Sequence, residues 1–403
     1  PWMTTRTRPL TTPAATRDNA SDQGRLARLL YGSGIINYAL KEAAFGAFVL
    51  FYYKQVLGLS GSLTGLAIAL SVLWDAVSDP LVGAWSDRLR SRWGRRHPFM
   101  FFSAFPLVLS FVALFNPPDS LSEFGSFLWL LVFAVLVRAS LTFYHVPHLA
   151  LGAEMAHDYN QRSTVFAYST VLSITAMAVV TFVGYRYFFP TTDIYSPGTL
   201  NPDGYYGFSV FFAGGMFLMI MLCVFGTAGE IPHLRRSEVS SGYELKSFVK
   251  DFSDVFANRS FRLLFIGLLL TTFSLAVEAV FSPFMGIHFW GLPTERLALL
   301  SLGTFAGLWL GLPLVPVLTR VLDKRWALVA PAIIVLVNAN AALVLRLADV
   351  SWFPANESPW IFWIYFARYL VQGIFLPVIF ASFNSMFADI ADEIELESGK
   401  RCE

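Results

Sequence analysis

Two carboxylates, Asp75 and Asp79, stand four residues apart in the apolar stretch Leu73–Phe99, and Arg88, Arg90, Arg92, Arg95 and Arg96 follow at once. A spacing of four puts both carboxylates on one helix face. At bilayer depth an ionised carboxylate costs about 2.5–3.5 kcal/mol on insertion scales, so such a pair is retained for what it binds or pairs with. Ser78 lies between them. Carboxylate and hydroxyl oxygens suit a hard cation such as sodium. One buried carboxylate also serves a proton, and the residues do not separate the two ions.

Other charges fall near the middle of apolar runs: Lys41, Glu42, Arg138, Glu278 and Arg368. With Asp75 and Asp79 they make three positive against four negative charges, leaving one carboxylate uncompensated, as a cation site requires. Glu42 can accept two hydroxyl donors at once, which suits a polyol; a structural pair with Lys41 is the other reading. His145 and His148 flank Pro147 and could bind substrate or relay a proton, or simply be satisfied by neighbouring carbonyls. Arg138 and Arg368 could hold an anionic group or bridge helices to Glu278 or Asp79.

The elements that position these residues are membrane helices. The 403 residues are 55% hydrophobic and 14% charged, with a formal net charge of +1 and a mean hydropathy of +0.56, so the chain belongs in a bilayer and has no nucleic-acid face. Apolar runs long enough to cross about 30 Å of hydrocarbon predict ten spans, near 29–53, 62–85, 98–115, 126–148, 164–187, 206–227, 261–290, 297–319, 326–346 and 359–387. The clustered arginines of 86–97, with Arg235, Arg236, Arg320, Lys324 and Arg325, fall in alternate connections, which places these and the N-terminus inside. The domains read as a tail, 1–28; a six-helix bundle, 29–227; a connector, 228–260; and a second bundle, 261–403. Within the connector, Tyr243–Phe256 carries apolar residues at helical spacing and predicts an amphipathic interfacial helix. Cys223 and Cys402 give neither a disulfide framework nor a metal spacing, and no cleavable signal precedes the first span.

WDAVSDP at Trp74–Pro80, SRWGRRHPF at Ser91–Phe99, the run Phe143–Glu154 and Asp158–Arg162 together resemble the glycoside-pentoside-hexuronide:cation symporters of the major facilitator superfamily, the family that includes the melibiose carrier. The resemblance covers essentially the whole chain. It implies an all-α polytopic protein of two six-helix bundles around a central cavity, working by alternating access as a monomer in the plasma (inner) membrane. Ser385–Arg401 is similar to the family's inner connection between spans ten and eleven, which implies that two further spans are missing from this chain.

The resemblance also assigns roles. It implies a cation site of Asp75, Asp79, Ser78 and Thr142, for sodium or a proton, with no other metal and no cofactor. It places Glu42 at a sugar-binding acidic position, with Lys41 beside it; His145, Leu149 and Thr170 stand where three further sugar contacts have changed. Gly83, Asp87, Arg88, Gly94, Arg95 and Arg96 resemble the superfamily's inner gating motif. The implied function is symport of a sugar, glycoside or related small polar solute with a cation. A lysolipid carrier and a non-transporting sensor on the same scaffold are the alternatives. No nucleophile–base pair, metal set or phosphate loop suggests an enzyme.

Overall fold

The computed structural model describes residues 26–155, 159–233 and 256–398. The tail through residue 25, Asp158 and nearly all of the expected amphipathic helix at Tyr243–Phe256 lie outside these. Among the described residues nine helices are long and apolar enough to cross a membrane, and a bent pair makes a tenth. They run α1 (Leu26–Val56), α2 (Gly61–Arg88), α3 (His97–Leu114), α4 (Glu123–Met155), α5 (Tyr159–Val183), α6 (Pro202–Thr227), α7 (Arg259–Phe284), α8 (Thr294–Gly311), α9 (Lys324–Leu347) and α10 (Trp360–Ser398). The short helix Leu314–Val321 continues α8 at an angle of 55°. Each falls on a predicted span.

Local chemistry fixes several ends. Ser60 accepts a bond from Leu63 N and starts α2; Asn258 accepts one from Phe261 N and starts α7; Pro202 opens α6, where a missing N–H costs nothing. Gly94, at φ +74°, turns the arginine-rich connection sharply into α3.

The helices form two halves, α1–α6 and α7–α10. In the first, α4 packs on α2 and α3, and α1 lies against α5 and α6. Its core at the end opposite the arginines is aromatic: Phe48 packs against Tyr185, Phe189 and Phe208, and Tyr52 against Tyr205. Such pairs contribute about 0.5–1.5 kcal/mol each beyond the area they bury. In the second half α10 packs on both α8 and α9. Gly303, Gly307 and Gly311 of α8 face α10, tightly at the first and with no room for a side chain at the other two: a Cβ on Gly307 would stand 2.1 Å from the Leu370 carbonyl, and one on Gly373 would stand 2.2 Å from that of Thr304. Small residues at this spacing let two backbones touch.

Among the described residues the hydrogen bonds and ring contacts between halves lie from mid-span to the end opposite the arginines. Glu295 at the start of α8 accepts from Thr191 N (2.6 Å) and Thr191 Oγ1 (2.9 Å). Thr294 Oγ1 accepts from Gly198 N at 3.0 Å, and Phe51 packs on Phe284 with ring centres 5.2 Å apart.

Candidate functional site

The mid-span charges resolve into pairs, and one is left over. Arg138 on α4 donates to Asp75 on α2 at 2.6 Å. Arg368 on α10 donates to Glu278 on α7 at 2.5 Å, and Gln372, one turn further along α10, donates to the other oxygen of Glu278 at 2.8 Å. Lys41 pairs with its neighbour Glu42 and lies over the Tyr38 ring. Asp79 has no cation beside it among the described residues; its partner is Thr142 Oγ1, which donates at 2.9 Å. Of the two bridges open to Arg138 and Arg368 in the sequence, the Glu278 one forms, whereas Arg138 takes Asp75 instead of Asp79.

Asp75, Asp79, Arg138 and Thr142 line one cavity of about 260 Å³ together with Lys41, Tyr38, His145 and Leu149. Near Asp79, Ser78 Oγ and one oxygen of Asp75 are buried without a hydrogen-bond partner. Ser78 does not line that cavity, so among the expected cation ligands it is the one the structure sets apart.

The expected substrate residues are spread over three neighbouring cavities that share wall residues. Tyr38, His145 and Leu149 are shared between the charged cavity and a second of about 370 Å³ that Thr170 also lines. Glu42 faces a third, of about 320 Å³, between the two halves. Ile174 lines both this central cavity and the second one. Across the centre from Glu42 stand Glu278, Gln372, Tyr369 and Ser282, the last two hydrogen-bonded to each other. Met177, Leu275, Phe305 and Leu376 make apolar wall between the polar patches.

The two histidines divide. In α1 the helix loosens to a turn at Gly34–Ile35, and the Tyr31 carbonyl there meets His148 Nε2 at 2.9 Å, while the Tyr31 ring stacks on that imidazole at 4.2 Å. His148 is fully buried and built into the α1–α4 contact. His145 stacks on Tyr38 at 4.5 Å and faces the cavities.

The expected gating residues gather at the arginine-bearing ends of α2, α3 and α4. Arg96 Nη2 meets Asp87 at 2.5 Å and Glu154 at 3.0 Å, its Nη1 donates to Ser86 Oγ, and Arg95 reaches Glu154 at 2.9 Å. Gly83 lies where a Cβ would meet Val146 of α4 at 3.6 Å, and Gly94 supplies the left-handed turn. Arg88 takes no part in this network. Sequence reasoning did not single out Glu154 as its centre, nor Ser282, Tyr369 and Gln372 opposite Glu42. The only signal for the latter was a polar Gln one turn from Arg368.

The family model described as MFS/sugar transport protein matches residues 30–403. The inner membrane symporter YicJ of Escherichia coli is 25% identical over 359 residues, 88% of this chain and 71% of YicJ. The uncharacterized symporter sll1374 of Synechocystis is 31% identical over 152 residues, which is 36% of this chain and 28% of that protein. The first of these is thus matched over most of its length and the second over less than a third. A solved bacterial homologue of the human lysosomal transporter Spinster shares the fold, with a TM-score of 0.59 at 14% identity over 92% of this chain and 78% of its own. This chain belongs to the MFS/sugar transport protein family of the major facilitator superfamily.

Proposed function

We propose that the chain is the membrane body of a cation-coupled symporter that carries a small polyhydroxylated solute, such as a sugar or glycoside, by alternating access. One observation carries this reading: Asp79 is held by Thr142 and has no lysine or arginine against it among the described residues, in a cavity that shares wall residues with a second one, which in turn shares Ile174 with the space between the two halves. A cation entering there would compensate the one mid-span carboxylate of the N-terminal half that has no lysine or arginine against it among the described residues. Among the described residues the bonds between the halves lie from mid-span to the end away from the arginines, which supports an inward-open resting state with the N-terminus and the arginine connection cytoplasmic, in the inner (plasma) membrane. Binding of ion and solute would favour the occluded arrangement, because a ligand shifts a conformational balance by its difference in affinity for the two states. Glu42 on one wall and the Glu278–Gln372 pair on the other would supply hydroxyl acceptors, and the protein would work as a monomer.

A lysolipid carrier is the second reading, favoured by the apolar wall at Met177, Leu275, Phe305 and Leu376. Uptake into proteoliposomes by the natural full-length protein, over a panel of sugars, glycosides and lysolipids with sodium and proton gradients imposed separately, decides between them. Gradient-driven accumulation of a polyol supports symport; uptake of acylated lipids alone supports the second reading; no gradient-dependent uptake of any solute defeats both.

A further inference from the structure

A notch opens on the outside of the N-terminal half, apart from the three cavities described above. It measures about 480 Å³ and runs from Leu89 at the end of α2 along α3 and α4. Its shape follows from residue types. Pro98 and Pro106 line it from α3, and proline has neither the N–H nor the bulk to fill a helix face. Ser103, Ala139 and Ser140 form its floor, and three side chains this small leave a channel where leucines would close it. Phe102 stands at the edge, 63% exposed, so the notch faces the hydrocarbon of the bilayer and is as apolar as an acyl chain.

One end of the notch is strongly charged. Leu89 is flanked in sequence by Arg88 and Arg90, with Arg92 just beyond; all three are exposed, and none forms an ion pair among the described residues. Arg95 and Arg96, by contrast, are committed to Glu154 and Asp87. Around the same end Trp85, Phe99 and Phe143 pack edge-on or stacked, 5.7 to 6.0 Å between centres, and Trp85 and Trp93 are both more than half exposed. Exposed tryptophans mark the depth of lipid headgroups. An acyl-wide channel therefore ends, at headgroup depth, against three arginines that no carboxylate among the described residues answers. Arginine meets phosphate oxygens with two parallel hydrogen bonds, and anionic lipid supplies phosphate at this depth with a net charge to complement the cluster.

We propose that this notch binds one anionic phospholipid, an acyl chain lying between α3 and α4 and the phosphate held by Arg88, Arg90 and Arg92. The proposal depends on the chain's place in a membrane and not on what it transports. Because Arg88 adjoins Asp87, the lipid would brace the connection that carries the Asp87–Arg96–Glu154 network.

The test is native mass spectrometry of the detergent-purified chain titrated with phosphatidylglycerol or phosphatidylcholine of equal chain length. Phosphatidylglycerol should bind at least tenfold more tightly. The R88Q/R90Q/R92Q variant should lose that preference, while R88K/R90K/R92K, which keeps the charge, should regain part of it. A139F, which fills the notch, should weaken binding of both long-chain lipids. Since all three arginines are exposed, thermal unfolding of the glutamine variant should match the parent, and the lysine variant guards against altered membrane topology. Equal binding of the two lipids by the parent chain overturns the proposal, as does an unchanged preference in the glutamine variant. Undiminished phosphatidylglycerol binding in A139F, or displacement of the lipid by inorganic phosphate alone, overturns the acyl site.

Discussion

Thr142 on α4 orients Asp79 on α2 through a 2.9 Å hydrogen bond, and of the four mid-span carboxylates Glu42, Asp75, Asp79 and Glu278 only Asp79 has no lysine or arginine against it among the described residues. A carboxylate held in place but not neutralised can exchange water for a cation with little rearrangement. Asp79→Asn is therefore expected to abolish accumulation driven by a sodium or proton gradient while leaving solute exchange between the two sides. Parallel uptake and counterflow assays separate these; a variant that still concentrates solute would remove Asp79 from coupling.

The neighbouring pair should behave differently. Arg138→Gln leaves Asp75 charged and unpaired, and breaking a buried pair costs about 3–5 kcal/mol. Asp75 keeps 27% of its side chain exposed, so the loss belongs at the low end, about 3 kcal/mol or less. Adding Asp75→Asn in the same chain should recover much of it. Thermal unfolding of the two single variants and the double variant measures the coupling directly, and additive losses would mean that the bridge contributes no more than its separate halves.

Glu42 lines the central cavity and is 40% exposed there beside Lys41. If its oxygens take hydroxyl donors from the solute, Glu42→Ala should weaken solute binding by about 1–3 kcal/mol for each donor left unpaired, several-fold or more in affinity. Cation binding in the absence of solute should survive, read as sodium-dependent thermal stabilisation or as proton release in detergent. The opposite pattern would transfer Glu42 to the ion site.

The spans could be read from the sequence because twenty apolar residues in a row have few other fates, and α1 to α10 fall where hydropathy places them. The i, i+4 relation of Asp75 and Asp79 was equally plain. Partner choice was not. Arg138 lies 63 residues from Asp75 and Arg368 lies 90 from Glu278, and which pair forms depends on how each helix is rotated. Helices that are apolar on every face carry almost no periodic signal of that rotation, so Thr142–Asp79 and the polar patch of Ser282, Tyr369 and Gln372 emerge only once the helices are packed. The close approach at Gly303, Gly307 and Gly311 likewise emerges only once α8 lies on α10.

Glu295 joins the two halves through both bonds from Thr191 at the end opposite the arginines. Glu295→Ala removes both acceptors and should move the population toward the arrangement open at that end. Couplings of this kind are commonly about 1–3 kcal/mol, or roughly 5- to 150-fold in population. With a cysteine placed at Met177 on the central wall, a membrane-impermeant maleimide added from the side of the Thr191–Glu295 end should label the Glu295→Ala chain faster than the parent. Equal rates would show that the Gly198–Thr294 bond and the aromatic contacts suffice to hold that end shut.

The glycine seam between α8 and α10 has a mechanical side. Where side chains interdigitate, helices can slide by swapping rotamers; where backbone lies on backbone, as at Gly307 and Gly373, there is nothing to swap, and the two helices tilt together or not at all. Glu295 rides at one end of that welded lever, and Arg368 and Gln372 ride on its other arm. Releasing the clasp on Thr191 thus swings the wall that grips Glu278, so the door and the far side of the room move as one piece.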